Sequence, residues 1–257
     1  MMLRRHEIKD QDWERIKDVL PPENTGEGRP SKPNRIMLNG MLWKVKTGAP
    51  WRDLPSCFGP WKTVYSRFRL WSKKDAFQKV FESLSSDADL GNFDGQHFLQ
   101  SSPACGRGKK RAEHAETGQE IGLSRGGRNT KIHAIVDALG NPIHLVLTAG
   151  NRNDCSVAVD VLSGVTLSGS VVLADKAYGT QAIRDHMTSQ EATFCIPPKS
   201  NAADPWECDF HRYKERHVVG FFSNKLKPFR GIATRYDKLA RSFLSFAYLA
   251  SAMILLK

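Results

Sequence analysis

Two aspartates stand where an α/β sheet would place reactive carboxylates. Asp94 closes the run Asn92-Phe93-Asp94-Gly95, and Asp175 closes the run Leu173-Ala174-Asp175 ahead of Lys176-Ala177-Tyr178. Each ends a short run that reads as a strand, and the sites of open α/β sheets gather at strand ends. Two carboxylates set side by side repel unless a cation lies between them. Hard divalent ions such as Mg2+ bind through one or two carboxylates plus phosphate oxygens. Two such ions ~3.5–4 Å apart can activate an attacking water or 3′-hydroxyl and stabilise the leaving oxygen. A single aspartate at a strand end is more often a cap or turn former. The pair in a basic chain is better evidence, without deciding the matter.

The chain is strongly basic. Its 257 residues carry 38 Lys and Arg against 27 Asp and Glu, a net charge of +11. Such a surplus points to a polyanionic partner, nucleic acid or an anionic membrane. The charge is grouped: residues 1–75 hold 16 basic against 9 acidic residues, and 211–241 hold 9 basic residues against Glu215 and Asp237. A third patch runs from Arg107 to Arg111, where Lys109, Lys110 and Arg111 read as a loop that grips backbone phosphate without sequence preference. Three patches favour nucleic acid over solvated surface.

The five cysteines are scattered, odd in number and never spaced CxxC, which argues against a disulfide framework and a zinc site. The N-terminus turns polar too soon for a secretory signal. The apolar stretch Phe243 to Leu256 is too short to span a bilayer and reads as a core helix. No membrane role is expected; the expected location is the cytoplasm, on the nucleoid.

These residues need elements to hold them. Trp13, Ile16 and Leu20 recur at helical spacing after Asp10 and stop at Pro21-Pro22. A second helix is predicted from about Arg35 to Val45, then a breaker at Thr47-Gly48-Ala49-Pro50. A third, from about Trp61 to Trp71, puts Val64, Tyr65, Phe68 and Trp71 on an apolar stripe with Lys62, Arg67 and Arg69 off it. Helix, turn and basic helix is the layout of a helix-turn-helix module, whose last helix enters the major groove; a plain helical bundle has the same pattern. After a helical stretch over 75–86, strands are predicted at 91–93, 131–136, 143–147, 170–174 and 192–196, with a helix over 181–189 and helices from Phe210 onward. Hairpin strands, then strand-helix-strand, then helices, predict an α/β domain with a mixed sheet. The expected division is a helical DNA-binding domain, 1–85, and a catalytic domain, 86–257.

Longer motifs carry a resemblance. Gln119 to Pro142, with the core Ser124-Arg-Gly-Gly-Arg-Asn-Thr-Lys-Ile-His133, is similar to the hairpin of the insertion sequence 5 family of transposases. Leu173-Ala-Asp-Lys-Ala-Tyr178 resembles that family's ADKGY motif, with Ala177 in place of Gly. Ile196-Pro-Pro-Lys-Ser-Asn201, Tyr213 to Val219, Ile232 to Ala240 and Gly48-Ala-Pro-Trp-Arg-Asp-Leu-Pro55 are similar as well. The likeness covers nearly the whole chain.

The resemblance implies an RNase H-like mixed sheet flanked by helices, with a helical N-terminal domain that is helix-turn-helix-like. It implies a DDE transposase that binds element ends, cuts DNA with Mg2+ (two ions, Mn2+ as a substitute) and transfers the strand. The partners it implies are double-stranded DNA, as element ends and as target, and further copies of the chain in a dimer or higher oligomer. Asp94 and Asp175 become the first two metal ligands. The late motif Tyr213, Arg216, Lys227 matches, with phosphate contacts expected from all three, but Gly220 stands where the third carboxylate belongs. Glu215 is the nearest carboxylate and the tentative third; five residues along a helix set it about 140° away. His133 reads as structural. Two alternatives follow: a catalytically impaired or repurposed DNA-binding protein, and an RNase H-like nuclease without strand transfer.

Overall fold

The computed structural model describes residues 6–23, 32–87, 96–106, 119–124, 127–202, 204–215 and 219–257. Helices α1 (Asp10–Ile16), α2 (Asn34–Thr47), α3 (Trp61–Lys73) and α4 (Ala76–Asp87) come first. Strands β1 (Gln96–Gly106), β2 (Gly122–Ser124), β3 (Gly127–Val136) and β4 (Pro142–Ala149) follow, then α5 (Ala158–Leu162), β5 (Val171–Leu173), α6 (Gln181–Ser189) and β6 (Thr193–Cys195). The chain closes with α7 (Phe210–Tyr213), α8 (Val219–Leu226), α9 (Arg230–Ala233) and α10 (Ala240–Leu255). It divides into two compact units: residues 1–84 with 226–257, and residues 85–225. The last 32 residues therefore pack with the N-terminal helices, although the sequence reading placed them with the sheet.

In the helical unit, α2 buries Met37, Leu38, Met41, Leu42 and Val45, and ends at Gly48 in the left-handed region, φ +69°. Residues 48–60 carry two short 3-10 turns between α2 and α3, a wider connection than the three or four residues of a tight helix-turn-helix. Phe68 of α3 stacks on Phe246 of α10 at 4.3 Å between ring centres and 15° between planes, with Trp51 at 5.5 Å and Phe77 at 5.5 Å. That aromatic cluster explains the assignment of α10: its apolar face matches α3.

The other unit is a mixed sheet flanked by helices. β1 pairs antiparallel with β3 and parallel with β5, and β5 pairs parallel with β6. Strand order is β2-β3-β1-β5-β6, with β4 on β3. The β3–β4 hairpin turns where Asp137 Oδ1 accepts from the backbone N–H of Leu139 and Asn141, and Gly140 has φ +73°. One sheet face is covered by α5 and α6, with Leu99, Ile135, Val161, Val172, Ile183 and Met187 between them.

Candidate active site

Asp175 follows the buried strand β5 by two residues. Its backbone is extended (φ −67°, ψ 155°), and its carbonyl accepts from the Tyr178 N–H at 2.8 Å, which opens a 3-10 turn over Lys176–Tyr178. Burial of Leu173 and Ala174 anchors the strand, while the half-buried Asp175 emerges beyond it. It lines a cavity of about 530 Å3 with Asn153, Cys155, Lys176, Lys199, Ser200 and Asn201. One carboxylate with two lysines and three neutral hydrogen-bonding groups suits a phosphodiester better than a small apolar molecule.

The neighbouring strand β1 runs parallel to β5. Phe98 of β1 lies opposite Leu173 of β5. Asp94, the other expected ligand, lies outside the described residues. It precedes Gln96, which is opposite Val171, four residues short of Asp175.

A second carboxylate, missed in the sequence, sits near this cavity. Asp154 accepts from Ser101 of β1 at 2.9 Å and pairs with Lys131 of β3 at 2.8 Å. Lys131 also donates to the Arg152 carbonyl at 2.8 Å. Tyr178 is buried, which drives its phenol well above the ordinary value, and the charges of Asp154 and Asp175 add to the rise. Asn153-Asp154 read as a turn, and no spacing linked it to Asp175. Lys199, Ser200 and Asn201 were visible only as part of the Pro197-Pro198 motif.

The late residues divide differently from the single helix expected. Tyr213 ends α7, whose N-terminus is capped by Asp209 accepting from His211 and Arg212 N–H. Gly220 is the second residue of α8, and a Cβ built on it meets nothing within 4 Å. Lys227 lies just past α8, in the helical unit, whereas Tyr213 and Glu215 belong to the sheet unit. Glu215 is exposed and does not line the Asp175 cavity. Arg216, Lys109, Lys110 and Arg111 lie outside the described residues. His133 is structural as expected: it is buried, its Nε2 lies 2.8 Å from Thr148 Oγ1, and burial lowers its pKa to about 4.

Two of the α3 cations have partners within the helical unit. Arg67 donates to Asn34 Oδ1 at 2.8 Å, and Arg69 donates to Tyr65 Oη at 3.2 Å. Lys62 is exposed. No helix among the described residues is long and apolar enough to cross a membrane.

Comparison with known proteins gives matches along most of the chain. The family described as "Putative transposase of IS4/5 family" matches residues 8–81, and "Transposase DDE domain" matches residues 94–225, just over half the chain. A Brucella ovis protein, "Putative transposase for insertion sequence element IS6501", is 40% identical over 129 residues, covering 50% of this chain and 98% of that protein. An insertion element IS402 uncharacterized 16.2 kDa protein of Burkholderia cepacia is 35% identical over 83 residues, 30% of this chain and 56% of that one. A structure of the piggyBac transposase synaptic complex with hairpin DNA aligns with a TM-score of 0.54 at 10% identity, covering 98% of this chain and 72% of that chain. That last likeness concerns fold alone.

Proposed function

The chain belongs to the Transposase DDE domain family of insertion-sequence transposases, and from that premise we propose how this DNA transposase divides its work. The helical unit recognises the ends of the element. The sheet unit, RNase H-like in strand order, holds the phosphodiester at Asp175. The motifs quoted above support the insertion sequence 5 group. The observation that carries the reading is Asp175, at the end of a parallel strand, on a cavity lined by Lys176 and Lys199.

DDE transposases generally use divalent metal ions. Among the described residues the donor set here does not fit a two-ion centre. The cavity offers one carboxylate, Asp154 is already bound by Lys131 and Ser101, and no group of three His, Cys, Asp or Glu is placed to hold an ion. Dependence on Mg2+ or Mn2+, with Asp94 as partner ligand to Asp175, stays a proposal of the family likeness. What the chain's own residues do is bind: Lys176 and Lys199 oppose phosphate charge, while Ser200, Asn153 and Asn201 orient its oxygens. A purely DNA-binding role is not favoured by a likeness that runs through both units; Gly220 bears on rate.

A plasmid-cleavage assay on supercoiled DNA carrying the element's own ends tests this. Slow cleavage is expected in either Mg2+ or Mn2+, in keeping with a described donor set that offers one carboxylate. Asp175→Ala should abolish cleavage and leave end binding within about twofold. Gly220→Glu, which has open space, should raise cleavage by orders of magnitude. Cleavage that survives Asp175→Ala would sink the assignment. Vigorous cleavage by the unaltered chain, lost in Glu215→Ala, would move the third carboxylate to Glu215. Synapsis as a dimer on paired ends is expected alongside.

A further inference from the structure

One face of α3 stays open, and its chemistry is specific. Val64, Phe68, Trp71 and Ser72 are buried, while Lys62, Thr63, Ser66, Leu70 and Lys73 are exposed. Thr63, Ser66, Leu70 and Lys73 recur at steps of three and four, so they form one stripe along the helix. Lys62, Thr63, Ser66, Arg67 and Leu70 line a groove of about 420 Å3. The helix contains four basic residues and no acidic one.

The arginines are not the centre of that stripe. Arg67 is held by Asn34, itself only 4% exposed and tied through its amide to the Pro21 carbonyl and through its N–H to Glu23. Arg67 thus braces α3 against the start of α2. Arg69 turns to Tyr65. What remains at the middle is two hydroxyls and Leu70, 45% exposed among cations.

Resting on the reading as a DNA transposase, we propose that Thr63, Ser66 and Leu70 read base sequence in the major groove of the element ends. Lys62 and Lys73 engage flanking phosphates, and Arg67 is a positioning residue. The major groove is about 12 Å wide and admits a helix. Serine and threonine hydroxyls both donate and accept, so they meet base edges of either kind, and an apolar side chain meets the thymine C5-methyl. A second copy of the chain fits this face poorly, because its own α3 would oppose cation to cation. A duplex, with phosphates on both rims of the groove, matches it.

The test measures binding of the full chain by fluorescence anisotropy. Its probes are duplexes of the terminal sequences flanking its own coding DNA and scrambled duplexes of equal composition. Ser66→Ala/Leu70→Ala should weaken end binding by about tenfold or more and leave scrambled binding within twofold. Lys62→Ala should weaken both alike. Replacing end thymines by uracil removes the methyl groups; it should weaken the unaltered chain severalfold and Leu70→Ala hardly at all. Thermal melting confirms that each variant is folded. Equal losses on both duplexes, or none on either, would overturn the base-reading role. A Leu70→Ala variant that changes sedimentation but not DNA affinity would assign the face to another copy. If the unaltered chain does not prefer its ends to scrambled DNA, the end-recognition reading itself fails, which is a separate result.

Discussion

Asp154 ties together three parts of the sheet unit with one side chain. Its two oxygens take Ser101 from β1 and Lys131 from β3, and its charge bears on Tyr178. Side chains of Asp154 and Lys131 are 24% and 22% exposed, so the pair is screened less than a surface ion pair. Asp154→Ala should lower stability by about 1–3 kcal/mol, since a half-buried ammonium loses its carboxylate and keeps only the Arg152 carbonyl; a urea melt with unchanged slope reads this out. His133 makes a pH prediction. Its folded pKa, about 4, lies below the free value of 6.5, so the unfolded chain binds the extra proton first. Stability is therefore whole above pH 6.5 and falls as pH drops toward 4, by up to about 3 kcal/mol. His133→Gln should flatten melting temperature across that window, and an unchanged pH profile would refute it. The structural role of His133 was legible because, with Lys131, it alternates with Ile132 in a strand. Asp154 was not, because a turn residue acquires its partners only when distant strands come together.

Elements with a clean period were read well, and those without were missed. The bounds 181–189 for α6 and the buried run of β5 stand out in sequence because apolar spacing and flanking turns agree. β1 did not: Gln100, Ser101, Ser102 and Pro103 look like a loop, and proline is demoted in strands. β1 pairs with β5 over Gln96 to Phe98, ahead of Pro103, so the proline does not interrupt that ladder. Missing β1 also hid its parallel register with β5, in which Phe98 lies opposite Leu173. The expected strand over 91–93 lies outside the described residues. Helix packing was legible only in part. Gly40, inside α2, faces Val64 Cγ1 and Phe58 Cβ, which would stand 3.1 and 3.2 Å from an added Cβ. Gly40→Val should therefore destabilise the helical unit by about 1–3 kcal/mol through overpacking, despite valine's better helix propensity. A denaturant midpoint at or above that of the unaltered chain would show that α2 and α3 can move apart freely.

At the scale of the molecule, sequence order and spatial grouping part company. The sheet unit is inserted between two segments of the helical one, residues 1–84 and 226–257. Composition shifts along the chain mark where helical periodicity gives way to strands. They conceal the return, because α10 is simply an apolar helix until its partner is known. Its partner is α3: Phe246 against Phe68, with Trp51 6.1 Å away, and Tyr248 5.3 Å from Phe81. The whole chain should bind DNA with a steep salt dependence, since each neutralised phosphate releases counterions. A fragment of residues 1–85 should not reproduce it. Losing a buried aromatic costs about 3–5 kcal/mol, and removing α10 takes Phe243 and Phe246 together, against a total stability of about 5–15 kcal/mol. Deleting residues 240–257 should therefore unfold the helical unit, lowering helical circular dichroism beyond the loss of the deleted residues. End-specific binding should fall to the level of scrambled DNA, because α3 loses the surface that holds it. A cooperative melt and undiminished end preference in the 1–85 fragment would show that α1 to α4 stand by themselves, and that α10 packs on them without supporting recognition.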